Sequence, residues 1–393
     1  MSGVTKHIFE HDIQDILSMW NVQLKTIIPL LKKEYDENQI IFLLKKFYPY
    51  EWKSVEEKYK YYQIKDDNLI KRFGKARYKM KRPRQLLLLS SMYKEIMSLE
   101  FRKKHRLNYS DIERIKAEEI LKKKRMSKIE KIDKKIQESL KRTQQITPDF
   151  INQLIGLYER KTTTQKDKMY ILQELKKYYS SSIIQFFFKL NDIELNKQLR
   201  WEAFYHLQSF NYHPRARSQK YMQIHSKNKK RRKFLREIYP NQKFDILQTP
   251  QELEYRINNS AEQKIKTYDY FISHSSKDFL LVQKLINYEN TDGKNVFCDW
   301  INDVDYLKRD LLCNATLKVI EHRLDQSNKL IFVSSKNSVE SIWCKYELNY
   351  FYNLKRPIYY ITAEGIRKGD FEILPISNPW FLDINYQDLL KLN

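Results

Sequence analysis

Two patterns of apolar and polar positions follow one another along this chain of 393 residues. From the start of the chain to Lys264, apolar side chains recur every three or four positions, which is the period of an amphipathic helix. This region contains only three glycines, Gly3, Gly74 and Gly156, so few of its residues would break a helix. The pattern predicts a mostly helical first region.

The helical stretches differ in length and in composition. The stretch from Ile13 to Leu31 contains Pro29, which should end or kink its helix. A long stretch from Asp111 to Gln145 has one apolar stripe on otherwise charged faces, and Asp111 is its expected amino-terminal cap. Further helices are predicted at 86–97, 148–159, 164–179, 182–191 and 193–208.

After about residue 266 the pattern changes, and short apolar runs alternate with helical stretches. Such alternation predicts βαβ units and a parallel sheet. The runs lie at 268–273, 295–300, 329–334 and 358–362, with a fifth strand expected at 380–384. We therefore predict a helical region at 1–255 with a break near 145–150, a linker at 256–265 and an α/β domain at 266–393.

Charge separates the same two regions. The formal net charge is +24, yet from Ile265 onward sixteen Lys and Arg stand against seventeen Asp and Glu. The excess positive charge therefore lies before Ile265, with basic runs at Lys122–Lys128 and Lys227–Lys233 and with Tyr212, Tyr221 and Tyr239 interleaved. Three interpretations stay open for this region: a sensor or oligomerisation module, a nucleic-acid-binding surface, or solvated lysine-rich helices without a specific acidic ligand.

The cysteines and the hydropathy indicate in which cellular compartment the protein is expected. Cys298, Cys313 and Cys344 are odd in number, and their spacing fits no zinc motif, so we expect a reduced, cytoplasmic protein without a metal. No run approaches the roughly 18 uncharged apolar residues that a membrane-spanning helix needs, so no membrane span is predicted.

Polar side chains collect where three of the predicted strands end. The first strand runs into Ser273-His-Ser-Ser-Lys-Asp278, the second into Asp299-Trp300, and the third into 334–338. The carboxyl ends of parallel strands meet at one sheet edge, where ligands of α/β proteins bind. The next helix, expected to start near Asn337 with Glu340 as its capping partner, carries Trp343 and Glu347 four positions apart and hence on one face.

Three of these segments resemble the motifs of TIR domains. Residues 268–278 are similar to the first strand and loop of that family, 297–300 to its second strand and loop, and 341–348 to its Ser, Trp-Cys and Glu signature. Their order and separation also agree. The resemblance implies a flavodoxin-like α/β fold with a parallel five-stranded sheet flanked by helices.

The resemblance further implies cleavage of the nicotinamide–ribose bond of NAD⁺, with Glu347 as the catalytic carboxylate. NAD⁺ would be the substrate, no cofactor is expected, and the product could be ADP-ribose or a cyclic isomer. It also implies activation by self-association through the segment from Asp299 to about Leu307, and a role in bacterial antiviral defence. Substrate contacts are expected from Ser273, His274, Ser275, Ser276, Asp299, Trp300 and Trp343.

Less specific interpretations stand beside this one. The chain could be a non-catalytic TIR adaptor, or a nucleic-acid sensor through its basic half. Trp343 could be a core residue, the serines could be helix caps and turn formers, and His274 is more typical of a structural residue than of a base.

Overall fold

The structure is a computed structural model that describes residues 4–216, 224, 226–308, 311–376 and 380–381. Its residues form two compact units, 1–135 and 136–393, which are described separately here. Within the described residues, no helix combines the length and the apolar character needed to cross a bilayer.

The first unit consists of helices around one apolar core. Trp20 and Trp52 meet in this core with their ring centroids 5.7 Å apart. The first helix ends at Ile27, and a 3-10 turn at Ile28–Leu30 contains Pro29, so the predicted break is confirmed. The helices are α1 (Val4–Ile27), α2 (Glu37–Phe47), α3 (Pro49–Phe73), α4 (Pro83–Leu87), α5 (Ser91–Ile96), α6 (Leu99–Leu107) and α7 (Asp111–Lys141), the last of which continues beyond residue 135.

The start of α7 differs from the prediction by one position. The backbone N–H of Glu113 donates to Ser110 Oγ at 3.4 Å, so Ser110 is the cap. The prediction that Asp111 caps the helix was wrong, because its carboxylate instead accepts from the hydroxyl of Tyr109 at 2.6 Å.

The second unit begins with a helical part that has its own core. The aromatic side chains of Phe150, Tyr178 and Phe187 are buried in it. Thr249 caps the helix that starts at Pro250, and the expected linker at 256–265 lies within the last two helices of this part. The helices are α8 (Phe150–Glu159), α9 (Gln165–Lys176), α10 (Ser181–Ile193), α11 (Lys197–Ser209), α12 (Lys229–Glu237), α13 (Pro250–Asn259) and α14 (Ala261–Lys264).

A five-stranded sheet follows, as the sequence predicted. Its strands are β1 (Tyr268–Ser273), β2 (Val296–Phe297), β3 (Ser327–Ser334), β4 (Ile358–Thr362) and β5 (Leu374–Pro375), in the spatial order β2-β1-β3-β4-β5. The first four strands pair in parallel, whereas β5 runs antiparallel to β4. Helices α15 (Phe279–Thr291), α16 (Asp299–Asn302), α17 (Asn314–Asp325), α18 (Lys336–Val339), α19 (Ile342–Asn353) and α20 (Ala363–Lys368) connect the strands.

Two details of this sheet differ from the sequence prediction, which expected five parallel strands with the fifth at 380–384: β5 is antiparallel, and it lies elsewhere in the sequence. The fifth strand lies at 374–375, and Trp380 and Phe381 form a turn, while 382–384 lie outside the described residues. Trp380 packs on the ring of Phe332 at 5.8 Å between ring centroids, and Phe381 is buried in the core, so packing on the sheet face replaces pairing at its edge.

The helix expected to start near Asn337 is two helices. Ser335 caps α18 by accepting from the N–H of Ser338, and Ser341 caps α19 by accepting from the N–H of Cys344. Glu340, the predicted capping partner, is instead the carboxyl-terminal cap directly after α18. This break starts a new helix just before Trp343 and Glu347.

A buried ion network joins the helical part of the second unit to its sheet. Arg323 donates to Asp303 Oδ2 at 2.7 Å, and Lys266 donates to Glu174 Oε2 at 2.8 Å. Lys177 lies between the two carboxylates, 2.9 Å from Glu174 Oε1 and 3.4 Å from Asp303 Oδ1. Burial alone would raise the pKa of both acids, but the three cations hold each pKa below its ordinary value. The loop after β2 is thus tied to α9 through Asp303.

Candidate functional site

The site lies at the carboxyl ends of β1 and β2. These strands pair in parallel with Phe271 opposite Phe297, so the residues that follow each strand emerge side by side. Ser273 ends β1 and is fully buried, and His274 comes next. Asp299 begins α16 directly after β2, and its side chain is about half exposed.

Glu347 reaches this edge from α19. The cap at Ser341 fixes the start of the helix, and Glu347 lies within the helix that this cap begins. The hydroxyl of Ser273 donates to Glu347 Oε2 at 2.6 Å. Two residues far apart in the sequence are therefore in direct contact, as the strand-end argument predicted.

The environment of Glu347 changes its acidity. Burial of the carboxyl group raises its pKa to about 8, and the negative charge of Asp299 acts in the same direction. The hydrogen bond from Ser273 opposes the shift, because it stabilises the ionised form. A carboxyl group whose pKa is raised toward neutral pH is typical of catalytic sites.

His274 joins the two strand ends. Its Nδ1 lies 3.1 Å from the carbonyl oxygen of Ile272, and its Nε2 lies 3.7 Å from Asp299 Oδ1. The imidazole is almost buried, with a side-chain exposure of 4%. The structure thus brings Ser273, His274, Asp299 and Glu347 together at one edge.

The two tryptophans pack against different apolar clusters of the domain. Trp300 is half-buried, and its ring meets that of Phe279 edge-on with centroids 6.4 Å apart. Its Nε1 is buried without a hydrogen-bond partner among the described residues. Trp343 is also half-buried and packs against a core that includes Cys344 and Leu348.

The two serines after His274 serve the turn that follows β1. Ser275 Oγ accepts from the N–H of Lys277 at 3.4 Å, which caps the 3-10 turn Ser276–Asp278. The side chain of Ser276 is exposed. Ser275 therefore has the capping role that the simpler interpretation expected, and a substrate contact of either serine stays a prediction.

A neighbouring cavity of about 590 Å³ extends the edge toward β4. Asp278 lines it and accepts from Ser335 Oγ and, at 3.1 Å, from Asn337 Nδ2. Neither Asp278 nor Asn337 was among the predicted site residues. Their position in the segments that follow β1 and β3 was the signal that could have identified them, because those two strands are adjacent.

The predicted basic segments lie away from the sheet edge in sequence. Lys122–Lys128 is part of α7, where Arg125 is buried and donates to the carbonyl of Phe47. Most of Lys227–Lys233 belongs to α12, a helix without a buried residue. Arg217 and Tyr221, which belong to the same basic and aromatic stretch, lie outside the described residues.

Comparisons with known proteins agree with this fold. A protein-family model described as "Thoeris protein ThsB, TIR-like domain" matches residues 271–368. "Putative cyclic ADP-D-ribose synthase TIR2" of Cytobacillus dafuensis is 30% identical over 374 residues, which cover 95% of this chain and 96% of that protein. No solved structure gives a significant match.

Other relatives match only the last third. "Probable 3' cyclic ADP-D-ribose synthase ThsB'" of Bacillus cereus (strain MSX-D12) is 35% identical over 106 residues, 27% of this chain and 53% of that protein. Toll-like receptor 2 of Equus caballus is 33% identical over 91 residues, 23% of this chain and 11% of the receptor. The chain therefore belongs to the same family as TIR2 of Cytobacillus dafuensis, and its last third carries the ThsB-type TIR-like domain.

Proposed function

We propose that this protein cleaves the nicotinamide–ribose bond of NAD⁺ and that the carboxylate of Glu347 stabilises the transition state. The observation that carries the proposal is the position of Glu347. This residue is half-buried, and its carboxyl group accepts a hydrogen bond from the hydroxyl of Ser273 where β1 and β2 end. The names of two relatives, both cyclic ADP-D-ribose synthases, support the same chemistry for this chain.

The chemistry follows from the bond that breaks. Nicotinamide in NAD⁺ is a cationic leaving group, so it departs as a neutral molecule with the bonding electron pair and needs no strong acid. Positive charge then develops at the ribose C1′, as in glycoside hydrolysis. A carboxylate close to the ribose stabilises that charge and accepts hydrogen bonds from its hydroxyl groups.

The ionised form of Glu347 is the one that can act in this way. Its pKa of about 8 means that the carboxyl group is mostly protonated at neutral pH without substrate. The cationic nicotinamide ring favours the ionised form when NAD⁺ binds, since an opposite charge nearby lowers the pKa of an acid. Ser273 supports the same ionised form through its hydrogen bond.

The remaining residues of the edge would hold the substrate. We assign ring contacts to Trp300 and Trp343, and contacts to the ribose hydroxyl groups or the phosphates to His274 and Asp299. The ribose cation is captured by water, which gives ADP-ribose, or by a nucleophilic group within the ADP-ribose part, which gives a cyclic isomer. The relatives' names favour the cyclic product.

The biological setting is part of the proposal. NAD⁺ cleavage would be activated by self-association of the chain and would act in bacterial antiviral defence, in the cytoplasm. The match to the Thoeris ThsB family model supports the defence role.

Product analysis tests the proposed function. Wild-type protein at high concentration is incubated with NAD⁺, and nicotinamide, ADP-ribose and cyclic ADP-ribose isomers are separated by chromatography and identified by mass. The wild type is expected to release nicotinamide and a cyclic isomer. Glu372→Gln, a variant of an exposed carboxylate outside the site, is the control and should form the same products in the same amounts as the wild type. Unchanged NAD⁺ with a self-associated chain would favour the adaptor interpretation.

A further inference from the structure

Three side chains that commonly bind metal ions meet beside the site, at the ends of β1 and β2. His274 follows β1, and Cys298 and Asp299 follow β2. One potential ligand atom from each of the three lies within 4.8 Å of the others. The histidine and the cysteine come from different strand ends, so the spacing of the cysteines gave no indication of this cluster.

The distances suit a single small cation. His274 Nε2 lies 3.9 Å from Cys298 Sγ and 3.7 Å from Asp299 Oδ1, and Cys298 Sγ lies 4.0 Å from Asp299 Oδ1. Ligands of tetrahedral Zn²⁺ are roughly 3.3–3.6 Å apart, as bond lengths of about 2.0 Å to nitrogen or oxygen and 2.3 Å to sulfur require. The three atoms would each move by a fraction of an ångström to close on the ion.

The imidazole is already oriented as a ligand. A carbonyl oxygen only accepts hydrogen bonds, so the contact of Nδ1 with Ile272 O at 3.1 Å places a proton on Nδ1. In the neutral ring, the lone pair of Nε2 then points toward Cys298 and Asp299. Most histidine ligands of metal ions donate their other ring N–H to a carboxylate, a backbone carbonyl or water, which fixes the tautomer in this way.

Burial and access are compatible with binding from solvent. Cys298 is fully buried and the imidazole of His274 nearly so, whereas the side chain of Asp299 is 55% exposed. An ion can therefore reach the cluster past Asp299. Three protein ligands would leave a fourth position for water or for another ligand, which is the arrangement of an open zinc site.

We propose that His274 Nε2, Cys298 Sγ and Asp299 Oδ1 form a binding site for one Zn²⁺ ion. On binding, the thiol of Cys298 releases its proton to solvent and the thiolate coordinates the ion. The combination of thiolate, imidazole and carboxylate selects Zn²⁺ over Mg²⁺ and Ca²⁺, which prefer oxygen ligands.

Occupation of this site inhibits the enzyme, a consequence that rests on the proposed NAD⁺ cleavage. His274 and Asp299 are the residues proposed to contact NAD⁺, and side chains that coordinate the ion could not contact the substrate. Zinc therefore competes with NAD⁺, and the inhibition is reversed by a chelator.

Cobalt provides a probe of the site that is independent of activity. Full-length protein freed of metal is titrated with Co²⁺, and one equivalent is expected to give thiolate-to-cobalt charge-transfer absorption in the near ultraviolet with tetrahedral d–d bands in the visible. Cys298→Ser should lose the charge-transfer band. Cys313→Ser, which changes a half-buried cysteine outside the cluster, should bind like the wild type.

A second variant keeps the test decisive if Cys298→Ser fails to fold. Asp299→Asn changes a half-exposed side chain, so it should fold, keep the charge-transfer band and bind Co²⁺ at least about tenfold more weakly.

Absence of the band at one equivalent in the folded wild type, or equal affinity in Asp299→Asn, would overturn the site. Co²⁺ binding together with zinc-insensitive NAD⁺ cleavage would overturn the inhibition alone. Co²⁺ binding without any NAD⁺ cleavage would support the site and count against the proposed function.

Discussion

At the scale of single residues, the account depends on the protonation of Glu347. Burial raises its pKa to about 8, Ser273 lowers it and Asp299 raises it. The reactive form is the ionised one, so the rate of NAD⁺ cleavage should follow the fraction of Glu347 that is deprotonated.

The pH dependence gives the first prediction. At low NAD⁺ concentration, kcat/KM should rise about tenfold per pH unit below the pKa and level off above about pH 8, because it reports the free enzyme. Initial rates of nicotinamide release are measured from roughly pH 5.5 to pH 9, which spans the raised titration range of Glu347 and begins above the ordinary Glu pKa of about 4.3. A rate that falls as the pH rises through this range would show that the protonated acid is the reactive form.

Ser273 gives the second prediction. Ser273→Ala removes the hydrogen bond at 2.6 Å that favours the carboxylate, so the pKa of Glu347 should rise by about one unit. The rate at pH 7 should fall roughly tenfold and recover at alkaline pH. Ser181→Ala, which changes an exposed serine in α10, is the control and should match the wild type. Loss of activity that is equal at every pH would contradict the proposed role of Ser273.

At the scale of elements, the loop after β2 depends on helices outside the TIR domain. Asp303 follows α16 and is fully buried between Arg323 of α17 and Lys177 next to α9. The side chain of Gln144 also bonds to this segment, donating to the carbonyl of Val296 at 2.6 Å and accepting from its N–H at 3.3 Å. These bonds occupy the outer edge of β2, which would otherwise be open to strand pairing.

The buried ion network gives the third prediction. Asp303→Asn removes the carboxylate that pairs with Arg323 and leaves Glu174 to balance three buried cations, so the free energy of unfolding should fall by about 3–5 kcal/mol. Lys368→Ala breaks the exposed pair with Glu364 and should cost less than about 1 kcal/mol. Chemical denaturation of both variants measures the two values. Equal stability of Asp303→Asn and the wild type would show that the network does not support the fold.

Some elements could be predicted from the sequence, and others depended on tertiary contacts. The four parallel strands were predictable because each contains a short apolar run between helical stretches. The division of one expected helix into α18 and α19 was not, because Ser335 and Ser341 both have the chemistry of a cap and only the fold shows that both are used. The contact of Ser273 with Glu347 was predictable from strand ends, whereas the raised pKa of Glu347 depends on burial that no sequence pattern shows.

At the scale of the whole molecule, charge and function are unevenly divided. The excess positive charge lies before Ile265, and the proposed catalytic edge lies in the near-neutral remainder. The relative TIR2 matches 95% of the chain, so both regions occur together in that family. Whether the basic region is a sensor, a nucleic-acid surface or a solvated set of helices stays a prediction, because charge alone does not identify a ligand.

Self-association gives the fourth prediction. The activity per chain should rise with protein concentration, because the proposed enzyme is completed by assembly. NAD⁺ cleavage and sedimentation velocity are measured over the same concentration series at constant ionic strength. An activity per chain that stays constant while the protein passes from monomer to oligomer would exclude activation by assembly.

The central claim is that the carboxylate of Glu347 cleaves NAD⁺, and one comparison tests it most directly. Glu347→Gln keeps the size and the contact with Ser273 but cannot ionise. A raised pKa in the folded state contributes stability that is present below the unfolded-state value and is lost as the pH rises toward about 8. The Gln variant is free of this loss, so it should be at least as stable as the wild type at pH 8.

The measurement is the rate of nicotinamide release by wild type and Glu347→Gln at pH 8, at equal high concentration and with the folded state of both checked by thermal melting. We predict a loss of at least about 10²–10³-fold in a variant that is fully folded. A folded Glu347→Gln variant that releases nicotinamide at the wild-type rate would contradict the account.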